Sequence, residues 1–315
     1  MYNTDPIHIV FCVNDAYVRY VSVSIKSIVE NNRNCHIHVL TDCISASNRK
    51  ILYETIEGFS PASLYIYEVD DTPLRELETG RFTIYAWYRL LIPDTLPKEI
   101  SRVLYLDADT VVTDNLEGLL SLPMDDKAIA GVPDPMSLSE ETYIRCGYDS
   151  GKQYLCSGVL LMNLGYWRKH RLADKIIDWA KANAARIKCP DQDAINFVCQ
   201  DDKLVLPLRY NVMNYFFLLK EYYRPPYIEQ LKECLHRPAI IHYAGWYPWI
   251  KDKSQHCMCN VWLRYNNKLR RPAGRIYHSR GLTLLKIRLW DLFHPKHERI
   301  SVTTADVERK LLSRA

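Results

Sequence analysis

The chain has 315 residues, 48% of them hydrophobic and 25% charged, with a formal net charge of +4. That is the balance of an ordinary globular protein, with length for one large α/β domain or two smaller ones. No stretch is apolar for long enough to span a bilayer. Ten scattered cysteines with no secretory leader before them read as reduced thiols of a cytosolic protein.

The first third alternates strand and helix signals. Ile7 to Val13 reads as a buried strand, and Val18 to Asn31 as a helix with Val21, Ile25, Ile28 and Val29 at helical spacing. His36 to Leu40 is a second strand, followed by a helix that Ser45 caps and that carries Ile51, Leu52 and Ile56. Leu64 to Val69 is a third strand, and Tyr85 to Ile92 a short helix stopped by Pro93. Val103 to Leu106 is a fourth strand that runs straight into Asp107. This order predicts an α/β fold with a mostly parallel, Rossmann-like sheet and helices on both faces. Ligands of such sheets sit at the carboxyl ends of the strands, where Asn14 and Asp107 fall.

Ala128 to Val132, Val159 to Met162, Leu204 to Leu206 and Ile240 to Tyr243 read as later strands. Leu172 to Lys188 reads as one amphipathic helix with Ile176, Ile177 and Trp179 inward. The alternation ends near Lys251, which divides the chain into 1–250 and a basic extension, 251–315. Arg264 to Arg288 holds eight Lys or Arg and no acid, which leaves the rest of the chain at −4. Leu282 to Phe293 is a compact helix candidate with base, Trp and Phe, as suits an anionic membrane surface, and docking on the core fits it equally. No recognition motif links the charge to nucleic acid. His256-Cys-Met-Cys259 lacks the Cys-x-x-Cys spacing of a zinc site.

Asp107-Ala108-Asp109 is the pair that carries chemistry. Two carboxylates one residue apart after a strand can converge on a hard divalent cation, which prefers oxygen ligands and bridges carboxylates to phosphates. Taken alone, the triplet fits a turn cap equally well. It also fits a haloacid-dehalogenase-type phosphatase, with Asp107 as nucleophile and Asp109 as general acid. That class places its motif on the first strand, whereas three strand signals precede this one.

Six ordered blocks settle the wider pattern. They are Ile9 to Tyr17, Tyr88 to Pro93, Arg102 to Asp109, Ser157 to Leu164, Asp191 to Asn196 and Ile241 to Gly245. Together they resemble glycosyltransferase family 8, retaining enzymes of the GT-A fold that include bacterial lipopolysaccharide galactosyl- and glucosyltransferases and the glycogenins. The resemblance spans about residues 7 to 250. It implies that Asp107, Asp109 and His242 hold Mn²⁺, with Mg²⁺ as a substitute, together with the diphosphate of UDP-glucose or UDP-galactose. It implies donor contacts at Cys12, Asn14, Tyr17, Arg81, Arg89, Ala108 and Gly245, with Tyr17 stacking on the base. Asp134, Cys156, Ser157, Asp191 and Gln192 would meet the sugars, and Gln192 and Asp191 would lie nearest the reacting carbon. The acceptor would be a glycan or lipid-linked glycan at the inner face of the membrane, built for lipopolysaccharide, capsule or another surface polymer.

The chain leaves the family pattern at three places. Leu155-Cys156-Ser157-Gly158 stands where the family has Phe-Asn-Ser-Gly, so an amide that bonds sugar hydroxyls is a thiol here. Tyr247 stands where a Lys precedes Pro-Trp, with Lys251 or Lys253 as the nearest substitutes. Asn14 replaces an acidic residue. These departures also suit a catalytically degenerate sugar-nucleotide-binding protein.

Overall fold

The computed structural model describes residues 6–250 and 256–273. Strands β1 (Ile7–Cys12), β2 (Cys35–Thr41) and β3 (Ala62–Glu68) alternate with helices α1 (Val18–Asn31) and α2 (Ala46–Ile56). A 3-10 segment (Ile84–Leu91) and α3 (Ile92–Thr95) lead to β4 (Arg102–Leu106) and β5 (Thr110–Val112). Next come α4 (Glu117–Leu120), β6 (Ile129–Pro133), α5 (Glu140–Cys146) and β7 (Leu155–Asn163). Then follow α6 (Leu164–His170), α7 (Leu172–Ala182), α8 (Pro190–Val198), β8 (Lys203–Val205) and β9 (Val212–Met213). The last elements are α9 (Tyr227–His236), β10 (Ile240–His242) and α10 (Cys259–Asn266).

Seven strands form one sheet in the order β3-β2-β1-β4-β7-β6-β8. All neighbours are parallel except β7, which runs antiparallel to β4 and β6. Alternate residues feed two cores, one on each face. Ile9 and Phe11 face one core, with α1 and Val39. Val10 and Cys12 face the other, with Trp87, Tyr88, Trp167 and Ile176. This is the mixed α/β, mostly parallel sheet that the alternation predicts.

A second sheet of three strands, β5-β10-β9, seats beside α1. Serines make that seat polar and close. Ser27 Oγ accepts from the Val112 amide at 2.9 Å, and Ser24 Oγ lies 3.1 Å from Thr110 Oγ1. β10 pairs antiparallel with β5, so His242 lies opposite Thr110. That register brings a residue far along the chain to the end of β4.

Three element boundaries differ from the pattern. Pro93 lies in the first turn of α3 rather than stopping a helix, since a helix's opening N–H groups have no intrahelical partner to lose. The amphipathic run from Leu172 ends at Ala182, and Ile177 and Trp179 are half-buried at the edge of the core. β7 starts at Leu155, four residues before its apolar run, because Cys156, Ser157 and Gly158 continue the strand, buried, into the site.

Beyond Ile250, the described residues 256–273 pack on the core. Trp262 is fully buried, Tyr243 Oη donates to the Met258 carbonyl at 3.0 Å, and Asn31 Nδ2 donates to Tyr265 Oη at 2.8 Å. Lys268, Arg270 and Arg271 pair with Glu30, Glu57 and Glu54. The helix candidate at Leu282 to Phe293 and the lysines Lys251 and Lys253 lie outside the described residues. No described helix is long and apolar enough to cross a membrane.

Candidate active site

The site forms where β4 ends. The Asp107 amide donates to the Gly158 carbonyl at 2.8 Å, and Thr110 Oγ1 donates to the Asp107 carbonyl at 2.8 Å. The backbone turns between them, and the Tyr243 amide donates to the Asp109 carbonyl at 2.9 Å. The side chains of Asp107, Asp109 and His242 therefore converge, each with one ligand atom within 4.8 Å of the others. His242 Nε2 is 3.3 Å from Asp109 Oδ1 and 3.8 Å from Asp107 Oδ2. Among the described residues no other group of three such side chains converges this way.

The second ring nitrogen fixes which atom faces the carboxylates. His242 Nδ1 lies 3.0 Å from Asn211 Oδ1, an acceptor, so Nδ1 carries the proton and donates. Nε2 then faces the carboxylates, the orientation that metal-binding imidazoles commonly take. Burial alone would push the His242 pKa down, but the Asp109 carboxylate outweighs it and holds the imidazole well above its ordinary value. The donor set, two carboxylates and one imidazole, fits a divalent cation such as Mn²⁺. Gly158 supplies the room. A Cβ there would come within 2.3 Å of His242 Cε1 and 2.7 Å of Asp107 Oδ2.

Arg89 ties the carboxylates of this edge together. It is 3% exposed and lies over the Tyr105 ring at 4.2 Å. Its guanidinium reaches Asp107 Oδ1 at 3.2 Å, Asp191 Oδ2 at 3.0 Å and the Ser157 carbonyl at 2.5 Å. Burial opposes its charge, yet Asp191, Tyr105 and Asp107 together raise its pKa. Tyr105 Oη also donates to Asp107 Oδ1 at 2.6 Å. Asp107 thus directs one oxygen to Arg89 and Tyr105 and the other toward His242.

Gln192 lies on α8 beside the start of β7. The Ser157 amide donates to its Oε1 at 2.9 Å, and Ser157 Oγ lies 3.4 Å from the same atom. An amide N–H can only donate, so the Gln192 carbonyl faces β7 and its NH₂ faces the other way. That NH₂ bonds the Asp134 carboxylate, which also accepts from the Met136 amide at 2.8 Å. Burial still raises the Asp134 pKa, against those bonds. Cys156 is buried, with Sγ 4.0 Å from His242 Nδ1 and a bond to Asp134. Asp134, Cys156, Ser157, Gln192, Asp191, Arg89 and the three ligand candidates therefore share one continuous site.

The other sequence candidates lie at its edges. Cys12 ends β1, nearly buried, its thiol pushed up by burial. Asn14 directs its side-chain oxygen to the Tyr17 amide at 3.0 Å, which makes it a cap in this structure. Tyr17 is 39% exposed, with burial and then the Asp109 carboxylate raising its phenol. Ala108 is half-buried between the two aspartates, and Arg81 is exposed beside the Phe82 ring. Gly245 has φ +74°, a left-handed conformation that turns the chain after His242. Tyr247 follows on that turn, stacked on Trp249 at 5.3 Å, with Asp109, Tyr17 and Asp107 all close enough to raise its phenol beyond what burial does.

Gly158, Tyr105 and Asn211 have no roles in the sequence reading. Gly158 is part of a motif, and a glycine inside a buried strand is a signal of close approach. Asn211 has no sequence signal, because it reaches His242 only through the pairing of β9 with β10.

The chain resembles known proteins in both sequence and fold. The sequence model of glycosyl transferase family 8 matches residues 8–253. General stress protein A of Bacillus subtilis is 30% identical over 246 residues, covering 76% of this chain and 85% of that protein. A lipopolysaccharide 1,2-glucosyltransferase of Escherichia coli is 27% identical over 261 residues, covering 79% and 76%. The crystal structure of the galactosyltransferase LgtC in complex with donor and acceptor sugar analogs aligns with a TM-score of 0.76 and 25% identity, over 84% of this chain and 96% of that one.

Proposed function

The chain belongs to glycosyl transferase family 8, and on that premise we propose that it moves glucose or galactose from a UDP-sugar to a surface-glycan acceptor with retention. The observation that carries the reading is the convergence of Asp107, Asp109 and His242 beside Arg89 and Gln192. A phosphatase role for Asp107 and Asp109 is set aside with family membership. Domain 1–250, with residues 256–273 packed on it, would carry the transfer, and the part of the 251–315 extension beyond Ala273 would lie at the membrane surface of the cytoplasmic face.

Breaking the anomeric C–O bond leaves positive charge on the sugar and negative charge on the departing UDP. A bound Mn²⁺ supplies Lewis-acid stabilisation of that diphosphate. Asp107, Asp109 and His242 would hold it. Arg89 adds positive charge beside the same carboxylates and fixes Asp107 and Asp191. Tyr17, exposed at the rim, offers a ring face to the base. Asp134 and Asp191 offer acceptors for sugar hydroxyls.

Gln192 is a poor nucleophile by chemistry, and its carbonyl oxygen already accepts from Ser157. Both facts favour attack by the acceptor on the face that UDP leaves, with the leaving phosphate oxygen taking the acceptor proton. Gln192 then acts by position, as a hydrogen-bonded floor under the sugar. Cys156 in place of an amide removes a hydrogen-bonding group from the sugar pocket, so the choice between glucose and galactose falls to Asp134, Asp191 and Gln192.

The test is UDP release from a panel of UDP-sugars with and without Mn²⁺. Release that needs Mn²⁺ and is lost in Asp109→Ala is the expected outcome. A protein that binds UDP but releases none with any donor and acceptor is the degenerate binder that Cys156 and Tyr247 suggest. For the extension, cutting after Ala273 should weaken binding to vesicles of anionic lipid, and unchanged binding counts against the membrane role.

A further inference from the structure

A buried ion pair outside the metal site holds the helix that carries Gln192. Asp193, fully buried on α8, accepts from both ends of the Arg145 fork, at 2.5 Å on Oδ2 and 2.9 Å on Oδ1. Tyr154 Oη donates to Oδ1 at 2.6 Å, and Cys146 Sγ lies 3.5 Å from it. The Lys188 and Cys189 amides donate to Oδ2 at 2.8 and 2.9 Å. Burial opposes the charge, but Arg145, Tyr154 and the two amides overcome it and hold the carboxyl below its usual range.

Four positions of α8 bind its surroundings. Asn196 donates to the Leu155 carbonyl and accepts from the Leu155 amide, both at 2.7 Å. Gln192 accepts from Ser157, and Asp191 meets Arg89. Asp193 adds the only one of these ties to α5. That helix lies in the excursion between β6 and β7, which begins at Asp134 and ends at Tyr154, two residues before Cys156. Arg145 also donates to the Arg186 carbonyl at 2.9 Å, so it spans from the excursion to the approach of α8. The sugar-site residues thus stand at the two ends of a segment whose middle is anchored next to Gln192.

A buried ion pair is a weak source of stability, because desolvation offsets most of its attraction. A planar fork on a carboxylate does fix direction. We infer that Arg145 and Tyr154, through Asp193, are positioning residues that set α8 so that Gln192 and Asp191 meet the bound sugar in register with Asp134. The inference rests on the reading that Gln192 lies beneath the reacting carbon. Arg145 and Tyr154 touch no substrate in it.

The test uses the full chain and the variants Tyr154→Phe, Arg145→Lys and Arg145→Met. Two readouts are followed: steady-state turnover, and the side-chain NH₂ resonance of Gln192, assigned by its loss in Gln192→Glu. Misplacing a positioned group by about 1 Å costs up to about 100-fold in rate. The expected result is a kcat about 10- to 100-fold lower per folded molecule, with donor KM within about twofold of the parent. Arg145→Met should lose more than Arg145→Lys, and the Gln192 resonance should shift in each variant. If Arg145→Met does not fold, Tyr154→Phe, which removes one bond and no charge, still decides. An unmoved resonance with unchanged kcat in folded variants overturns the inference. So does an unmoved resonance with kcat and KM both altered. A parent without turnover would count against the transferase reading, and the resonance would still report whether the ion pair sets Gln192.

Discussion

A single hydrogen atom's worth of space decides whether Asp107, Asp109 and His242 can converge. Gly158 passes between His242 and Asp107 with no side chain, and the nearest contact a Cβ would make is to the His242 ring. That ring cannot retreat freely, because it is 3% exposed and bonded to Asn211 behind it. The methyl must therefore displace the ring or the strand, so Gly158→Ala should cost about 1 to 3 kcal/mol of stability and, where folded, lose Mn²⁺ affinity by about 10- to 100-fold, the range seen when a ligand's orienting partner is removed. Titrating Mn²⁺ into parent and variant while following protein fluorescence checks this. Wild-type affinity in the alanine variant would mean that the three ligands do not act together. Of the site's residues, those that a motif names were legible in the sequence: Asp107, Asp109, His242, Arg89 and Gln192. Those that act by shape or through a second partner were not. Gly158 has no functional group, and Asn211 shares no local pattern with His242. Asn14 was legible as a site-edge residue but not as the cap that it is.

Elements matched the sequence where their periodicity was long. β1, α1, β2 and α2 carry clear alternation or helical spacing, and Ser45 caps α2 by accepting from the Asn48 amide at 3.4 Å. The small sheet was harder to read. β5 and β10 have three residues each and β9 has two, so their pairing rests on contacts across the chain that no window of sequence contains. The large sheet also holds a histidine cluster. His8, His36 and His38 lie on one face of β1 and β2, with His8 Nδ1 2.9 Å from His38 Nε2 and His38 Nδ1 3.1 Å from Tyr67 Oη. Burial first, then the neighbouring histidines, pushes His8 down to about 4 and His38 down to about 3. The unfolded chain takes up these protons near pH 6.5, before the folded chain does. Stability from this cluster is whole above about pH 6.5 and falls as pH drops through the window to about 3 to 4. The Tm should therefore fall between about pH 7.5 and 5, and His38→Leu should flatten that slope. Equal slopes for parent and variant would refute the assignment.

At the scale of the molecule, the edge that carries the candidate site and the described end of the chain are one packed body. A ladder of rings runs from the rim inward. Tyr17 meets Tyr20 edge-on at 5.5 Å, Tyr20 stacks on Trp249 at 4.2 Å, and Trp249 leans on Trp262 at 5.5 Å. Tyr247 stacks on the same Trp249 from the side of the metal site. The turn from Gly245 to Trp249 is thus held between α1, which begins beside Tyr17, and α10, which carries the buried Trp262. α10 itself is seated by Tyr265 on Asn31 and by the ion pairs of Lys268, Arg270 and Arg271 with α1 and with α2 and its C-terminal end. Those three bases face Glu30, Glu57 and Glu54, which reduces their pull on an anionic surface. Removing Trp262 empties the foot of the ladder. Trp262→Ala should cost about 3 to 5 kcal/mol of stability, the usual range for a large aromatic cut to alanine in a core. It should also weaken UDP binding, because the turn that carries Tyr247 loses its backing, whereas a purely remote core defect would lower stability and leave UDP affinity untouched. Denaturant unfolding and UDP titration of the same variant, at a temperature where it is folded, measure both effects.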